Sequence, residues 1–592
     1  MSKRLLITTP LPQTWETNRP FTLLGKWCLP VSKLSEVESK YCEIAPYHWD
    51  DRALLASDYI NLNALYEELL VDLTQTMNRI HGVKHSVRYW RILMGIWLVH
   101  IVEILYDRWS SIENAATSQN QFETTVITGS ADDFIPNNMF NFSEFFSSDN
   151  WNHFIYSTII REFPSISVTK KNNTLSFQRT SHKSEKSKKI VVKNRVRMWA
   201  EKILSPLVRK GDCFFIATYL PYWEQIKLKV ALREFPIIYC SEEILVEYEF
   251  KKEFRGWSLE PTTNKPASSP FENWIRKFIS SQVPKVYLEG YKNQMEKIKN
   301  THWQKSPKVI WTSNAYHFHD SFKLWAAEKV EQGSKLIVGQ HGGNYGMAKW
   351  NSSEDHQVSI SDVYFSWGWI DAARPRIVPL GQIKLSPGMV RNRETSLHRA
   401  MLITTEVLRY SYTMLSAVVA GQWLDYLEDQ FAFIDSLSPG IRENFTVRLK
   451  PKIHGWHSFK RWQQQFPDLD IDTGKSNFYN EISKCKLVVS TYNAATYLES
   501  MAMNIPTVIF WNPEYWELNG DATKCMKDLE EAGIFHLSPM SAARHIERIW
   551  DSVPGWWKSD SVQEARMRFC RKYSYLPDNM CERIKTIITK VS

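Results

Sequence analysis

The feature that most constrains this chain is a recurrence. Short apolar runs stop abruptly in polar or glycine-rich turns, and helical patterns follow them. "RLLITT" (4–9), "CFFIATYL" (213–220), "PIIYC" (236–240), "KVIWTS" (308–313), "KLIVGQ" (335–340) and "VYFSWG" (363–368) form a first set. Apolar runs of this length without alternation suit strands buried on both faces, as in parallel sheets covered by helices. Between them, "SFKLWAAEKVEQG" (321–333) brings Phe322, Trp325, Ala326 and Val330 near one helical face, with Gly333 as a natural stop. A second set begins at Ala400 with "AMLITTEV", then an amphipathic "GQWLDYLEDQFAFIDSLS", then "NFTVRLKP", "CKLVVS" and "PTVIFW". Strand, helix, strand in this order builds doubly wound sheets. The expected class is α/β, with two Rossmann-like domains and helical insertions in the first.

A chain of 592 residues is too long for one core. The joint is expected in the Pro-, Gly- and polar-rich "PRIVPLGQIKLSPGMVRNRETS" (375–396). That gives a domain over 1–378, a second over 397–565, and a terminal helix over 566–592 expected to pack back on the first. Residues 115–165 show little periodicity and read as an irregular insertion. The most apolar stretch, "YWRILMGIWLVHIVEILYDRW" (89–109), is broken by His100 and Glu103. It falls short of the roughly 18–20 apolar residues of a membrane span and reads as a buried helix. "MSKRLLITTPLPQTW" resembles a first strand, not a signal peptide. Eight scattered cysteines without a CxxC pair suit free thiols in a reducing compartment. The expected location is the cytoplasm.

The net charge of +9 is local. Between Lys170 and Arg197 stand ten basic residues and one acidic residue, so the remainder balances. This run reads first as a solvated loop, and second as a contact with the anionic inner face of the cytoplasmic membrane or with a lipid-linked acceptor. No basic face accompanies it on folded elements, so nucleic acid is not an expected partner.

Ligands of open α/β sheets bind outside the carboxyl ends of the strands, and the chemistry-bearing motifs cluster there. In "VVSTYNAATYLESMAMNIPTVIFW" (488–511), a strand ends at Ser490 and a helix starts near Ala494, with Thr491 or Asn493 as its cap. The helix start, with Ser490, Thr491 and Thr496, suits a phosphate, and Glu499 suits the two hydroxyls of a ribose. An ordinary capped helix explains the same residues equally well. "VRLKPKIHGWHSFKRW" (447–462) offers Arg448, Lys450 and His454 to an anion, or is a solvated basic loop. "LIVGQHGGNYG" (336–346) ends a strand in Gln340, His341, Gly342, Gly343 and Asn344. The glycines permit positive φ and close approach, and His341 suits proton transfer in an interdomain cleft. "WTSNAYHFHDSFKLW" adds Asn314, His317 and Asp320, with helix capping as the alternative for Asp320. A metal reading of its His-x-His is weak, and no metal is expected. GxGxxG, P-loop and G-x-S-x-G signatures are missing, which argues against dinucleotide oxidoreductases, P-loop NTPases and serine hydrolases.

These motifs, with "TTPLPQTWETNRPFTLLGKWC", "YHWDDR", "RYWRILMGIWL", "EDHQ" and "WDSVPGWW", resemble the transferases of bacterial surface-polysaccharide and O-antigen loci, often found beside genes for sialic-acid-like sugars. The resemblance spans nearly the whole chain. More distantly, the layout is similar to GT-B glycosyltransferases. Two positions depart from the family pattern: Lys26 stands where an acidic residue is expected, and "RLKPKIHGW" replaces "RLYPHDYGW". The resemblance implies a glycosyltransferase, with a CMP-activated Kdo or nonulosonic acid as the preferred donor and a glycan or lipid-linked acceptor. It implies no cofactor beyond the nucleotide-sugar substrate. The C-terminal domain would bind the donor through Arg448, Lys450, His454, Ser490, Thr491, Asn493, Thr496 and Glu499. The N-terminal domain would bind the acceptor, with His341 and Asp320 at the reacting centre. A polyol-phosphate or UDP/GDP-sugar transferase is the rival enzyme. A non-catalytic glycan-binding or assembly protein, stacking sugars on some of its 25 tryptophans, is the rival from another class.

Overall fold

A computed structural model describes residues 3–16, 18–29, 41–171, 175, 201–239, 243, 246–262, 267–385, 399–451 and 454–592. The basic run falls almost wholly outside these residues, as does the second half of the expected joint. Within them the chain forms three sheets, and every ladder is parallel.

The first sheet runs β3-β2-β1-β4-β5, from β1 (Arg4–Ile7), β2 (Phe21–Leu23), β3 (Cys42–Ile44), β4 (Phe122–Ile127) and β5 (Ser167–Lys171). The second runs β10-β9-β8-β7-β6, from β6 (Phe214–Phe215), β7 (Val309–Thr312), β8 (Lys335–Gly339), β9 (Val363–Ser366) and β10 (Ile377–Pro379). The third runs β13-β12-β11-β14-β15-β16, from β11 (Ala400–Ile403), β12 (Phe445–Arg448), β13 (Asp470–Asp472), β14 (Leu487–Ser490), β15 (Thr507–Phe510) and β16 (Phe535–His536). The N-terminal half thus holds two sheets, and "RLLITT" seeds one that the strands after residue 213 do not join. The described residues of "PIIYC" contribute only an isolated bridge, Tyr239 to Ile216. Residues 115–165, expected to be irregular, contain central strand β4 and the helices Met139–Ser147 and Asp149–Ile160.

The apolar stretch becomes helix α2 (Val87–Thr117), which packs on α1 (Arg52–His81), on Asp149–Ile160 beside the first sheet, and on α3 (Asp320–Glu331) beside the second. It is the one helix among the described residues long and apolar enough to cross a membrane, and 89% of its apolar window is buried inside the protein. Among the described residues, eleven tryptophans are fully buried, Trp90 and Trp97 of α2 among them. Each such side chain contributes about 2–3 kcal/mol by leaving water. The tryptophan excess therefore fills cores, which removes the main support for a stacking role.

Sheet order decides where a ligand fits. The third sheet has the doubly wound order, with its switch point between β11 and β14. The loops leaving these two strands diverge there and open a crevice. The second sheet winds in one direction and offers the loops after β7 and β8. The halves are tied by Lys26 to Asp425 (2.7 Å), Arg52 to Glu517 (2.6 Å) and Arg409 to Asp149 (2.5 Å). Lys26, the unusual residue of its motif, thus has a carboxylate partner in the other half. Helix Met580–Val591 packs on helix Tyr222–Ala231 of the second sheet, with Ile584 and Ile588 buried beside Phe215 and Trp311.

Candidate active site

A cavity of about 450 Å³ lies where these loops meet. From the third sheet it is lined by the loop after β11 (Thr405 to Ala420), Lys450 and His454 after β12, and Tyr492, Asn493 and Ala494 after β14. From the second sheet come His317 and Phe318 after β7, and Gly343 and Asn344 after β8. Phe146 closes one side from the helix following β4.

The glycine loop touches the other half directly. A Cβ on Gly343 would lie 2.1 Å from the Ala494 carbonyl carbon and 2.2 Å from the Ala495 nitrogen. Only glycine permits this approach. The reason differs from the expected one, because positive φ falls on Asn344 (64°) and Gly346 (72°) instead. Gln340 is 1% exposed and scaffolds the loop: its Nε2 donates to the Gly342 carbonyl (2.8 Å), and its Oε1 accepts from Trp367 N and Trp369 Nε1, both at 2.9 Å.

Helix α4 (Ala495–Ala502) starts at this contact. Neither Thr491 nor Asn493 caps it; Ala494 is its N-cap, and no side chain bonds there. The first-turn N–H groups therefore keep their partial positive charge for another partner. Asn493 is 1% exposed; its Oδ1 accepts from Tyr497 (2.9 Å), while its Nδ2 is buried without a partner at the cavity wall. Lys450 Nζ donates to the Glu406 carbonyl at 3.1 Å, and Glu406 accepts the His454 N–H at 2.8 Å.

The remaining expected donor residues separate. Thr491 is consumed by Tyr426 (2.6 Å) and the Ile403 carbonyl (3.0 Å). Arg448 pairs with Asp472 and donates to Ser476 Oγ (2.8 Å) and the Ser476 carbonyl (2.7 Å), so it clamps the loop after β13. Ser490 and Thr496 hydroxyls face each other at 3.4 Å, and neither residue lines the cavity. Glu499 does not line it either; it is 5% exposed and 3.5 Å from Lys384. Burial raises its pKa, and Lys384 opposes the rise.

Asp320, expected at the reacting centre, is 3% exposed and does not line the cavity. Its carboxylate accepts from Met139 N (3.0 Å) and Tyr287 and pairs with Lys323 (2.7 Å), so it anchors helices. The cap of α3 is His319, whose Nδ1 accepts from Phe322 N. His317 does line the cavity. Burial, then His100 and Lys323, push its pKa well below the usual imidazole value, leaving it neutral. His341 is half-buried beside the cavity, stacked on Tyr219 at 6.1 Å and edge-on to Tyr345 at 5.7 Å. Burial first and Lys384 second hold its pKa down to about 4, and its Nδ1 has no partner. Asn314 donates to the Tyr219 hydroxyl at 3.1 Å.

Several contributors escape a sequence reading. The loop 405–420 looks like ordinary connection; its length without a helix or strand pattern was the available signal. Tyr219 sits at φ 62° in a strand-end loop, strain of a kind found at functional sites. Lys384 has no local signature. Among the described residues, no group of three or more His, Cys, Asp or Glu is placed to hold a metal ion.

The model of a family described as "LIC12162 family transferase" matches residues 4–586. No curated protein matches the chain. Solved structures similar to it include MurG of Acinetobacter baumannii (12% identity, 64% of this chain, 100% of that one, TM-score 0.32). The wall teichoic acid polymerase TagF is another (10%, 68% and 94%, TM-score 0.33). The glycosyltransferase SnogD of Streptomyces nogalater is a third (10%, 65% and 100%, TM-score 0.35). At such scores the architecture stands on the strand pairing itself.

Proposed function

The chain belongs to the LIC12162 family of transferases, and from that premise we propose that the group it transfers is a sugar, moved from a nucleotide-activated donor to a glycan acceptor. The observation that carries this reading is the uncapped start of α4, with the unpartnered Asn493 Nδ2, at the wall of a 450 Å³ cavity built by both halves. Unpaired N–H groups at a helix start favour a phosphate. Lys450 adds positive charge where a leaving phosphate departs, a form of transition-state stabilisation that needs no movement during reaction. Glu499, one turn along α4, suits the ribose hydroxyls.

The acceptor enters from the second sheet. His317 is the base in this reading: it lines the cavity unprotonated, and the negative charge of a bound donor would offset the burial that weakens it as a base, so that it takes a proton from an acceptor hydroxyl as that oxygen attacks. His341 sits beside the contact between the glycine loop and α4, suited to a hydrogen bond to the leaving group. Asp320 acts through the helices it anchors.

The preferred donor is a CMP-activated Kdo or nonulosonic acid, which rests on the sequence resemblance. Titration of the full chain with CMP, UDP and GDP tests it. Binding of CMP with little binding of the others supports the donor, and tight UDP or GDP binding without CMP binding replaces it. Absence of binding to all three removes the nucleotide-sugar reading.

A further inference from the structure

Three consecutive residues cross from one half of the protein to the other. Ile383 is rooted in the core of the second sheet, with Phe215, Trp311 and Phe365. Leu385 is rooted in the core of the third, with Met401, Val488 and Met503. Lys384 stands between them, at the crossing. Its ammonium lies 5.3 Å from the Tyr219 ring and 5.5 Å from the Trp367 ring, both in the N-terminal half. It also lies 3.5 Å from Glu499 Oε1, in the C-terminal half.

The arrangement poses a problem for the ribose role of Glu499. That carboxylate is 5% exposed and already engaged by Lys384. The Tyr479 hydroxyl bonds the same carboxylate, so a ribose gains room there when Lys384 gives up its place at Oε1. The Lys384 side chain is 22% exposed, so solvent, and with it a small anion, reaches part of it. Aromatic faces hold a cation without neutralising it, so Tyr219 and Trp367 keep the ammonium in position when its carboxylate partner changes. Its positive field already acts on His341, the imidazole beside the glycine loop. A single cation thus lies between the carboxylate assigned to ribose and the imidazole assigned to the leaving group.

We infer that Lys384 is an anion-binding residue of the donor site: when donor binds, its ammonium passes from Glu499 to the donor's phosphate or carboxylate, and Glu499 is released to the ribose hydroxyls. The inference rests on the nucleotide-donor reading above. No covalent bond changes; one ion pair is exchanged for another. Because the residue sits where the chain crosses, the exchange also registers donor occupancy at the junction of the halves.

Calorimetry on the full chain, using CMP, UMP and GMP beside cytidine, uridine and guanosine, tests this. Wild type is expected to bind one monophosphate at least about tenfold more tightly than its nucleoside, since a charge-assisted contact carries about 1.5–3 kcal/mol. In Lys384→Met that ratio is expected to collapse toward one, while nucleoside affinity holds or rises because Glu499 is no longer occupied. Lys384→Arg, which keeps the charge and the fold, is expected to retain most of the ratio. A Lys384→Met protein that keeps the ratio, or loses nucleoside and monophosphate affinity in step, overturns the inference and leaves the donor reading standing. Wild type that binds none of the six overturns both.

Discussion

Gly343→Ala tests the contact between the halves with one methyl group. The new Cβ would lie 2.1 Å from the Ala494 carbonyl carbon, 2.2 Å from the Ala495 nitrogen and 2.5 Å from the Ala494 oxygen. Carbon atoms rest at about 3.5–4.0 Å, so the loop and the start of α4 must separate by roughly 1.5 Å. Overpacking of this kind costs about 1–3 kcal/mol. Both sides of the clash are backbone, and neither can rotate away, so the upper end applies. Roughly 3 kcal/mol corresponds to a loss of about a hundredfold in nucleotide affinity if the closed contact is what the ligand requires. Gly342→Ala is the control, because its Cβ meets only Tyr345 Cε2, at 3.7 Å. Calorimetry with the nucleotide that wild type binds measures the affinity. Amide hydrogen exchange over 340–346 and 491–497 measures local opening, a better readout than a melting temperature in a chain with several cores. If Gly343→Ala matches wild type in both, or if Gly342→Ala is equally damaging, the close approach does not matter and the reasoning fails.

Other expectations follow from the same geometry. His317→Ala is expected to leave the fold and donor binding intact and to lower sugar transfer by about 10²–10⁴-fold; unchanged turnover removes it as the base. Asp320→Asn breaks a buried pair with Lys323 and is expected to cost about 3–5 kcal/mol in urea unfolding, with nucleotide affinity of the folded fraction unchanged. Glu103 on α2 accepts from Met414 N at 3.0 Å and from Ser352, holding the cavity loop, and burial raises its pKa to about 8. The folded chain therefore keeps a proton that the unfolded chain releases near pH 4.3. Stability from this group is full below about pH 4 and is lost as pH rises to about 8. Glu103→Gln is expected to flatten that slope in urea titrations; an unchanged slope contradicts the assignment.

How much of this was legible in the sequence depends on where the constraint lay. Chain-local constraints read well. Gly333 follows α3 at φ 103°, as its position after a helical pattern implied, and Asn504 follows α4 in the left-handed region (φ 55°). Strands buried on both faces announced themselves as apolar runs. β4 did not, because its polar residues are satisfied only in the fold: Glu123 pairs with Arg19, and the Thr124 hydroxyl donates to the Leu6 carbonyl at 2.8 Å. The site was half legible for a similar reason. Motif and strand end singled out His317, Gly343, Lys450 and Asn493, which line the cavity. The sequence had no means of showing that Arg448, Thr491 and Asp320 spend their polar atoms on nearby loops and helices. Lys384 is defined by two neighbours rooted in different cores, a relation that exists only in three dimensions.

The proposed function requires the strand-end loops of two facing sheets to form one site, with an anion held at the start of α4. A crystal structure of the full chain with its nucleotide bound tests this most directly. The expected result is phosphate oxygens within hydrogen-bonding distance of the N–H groups at 494–496 and of Asn493 Nδ2, with the ribose at Glu499. A nucleotide seated elsewhere, with the α4 start still packed only against Gly343, would contradict it.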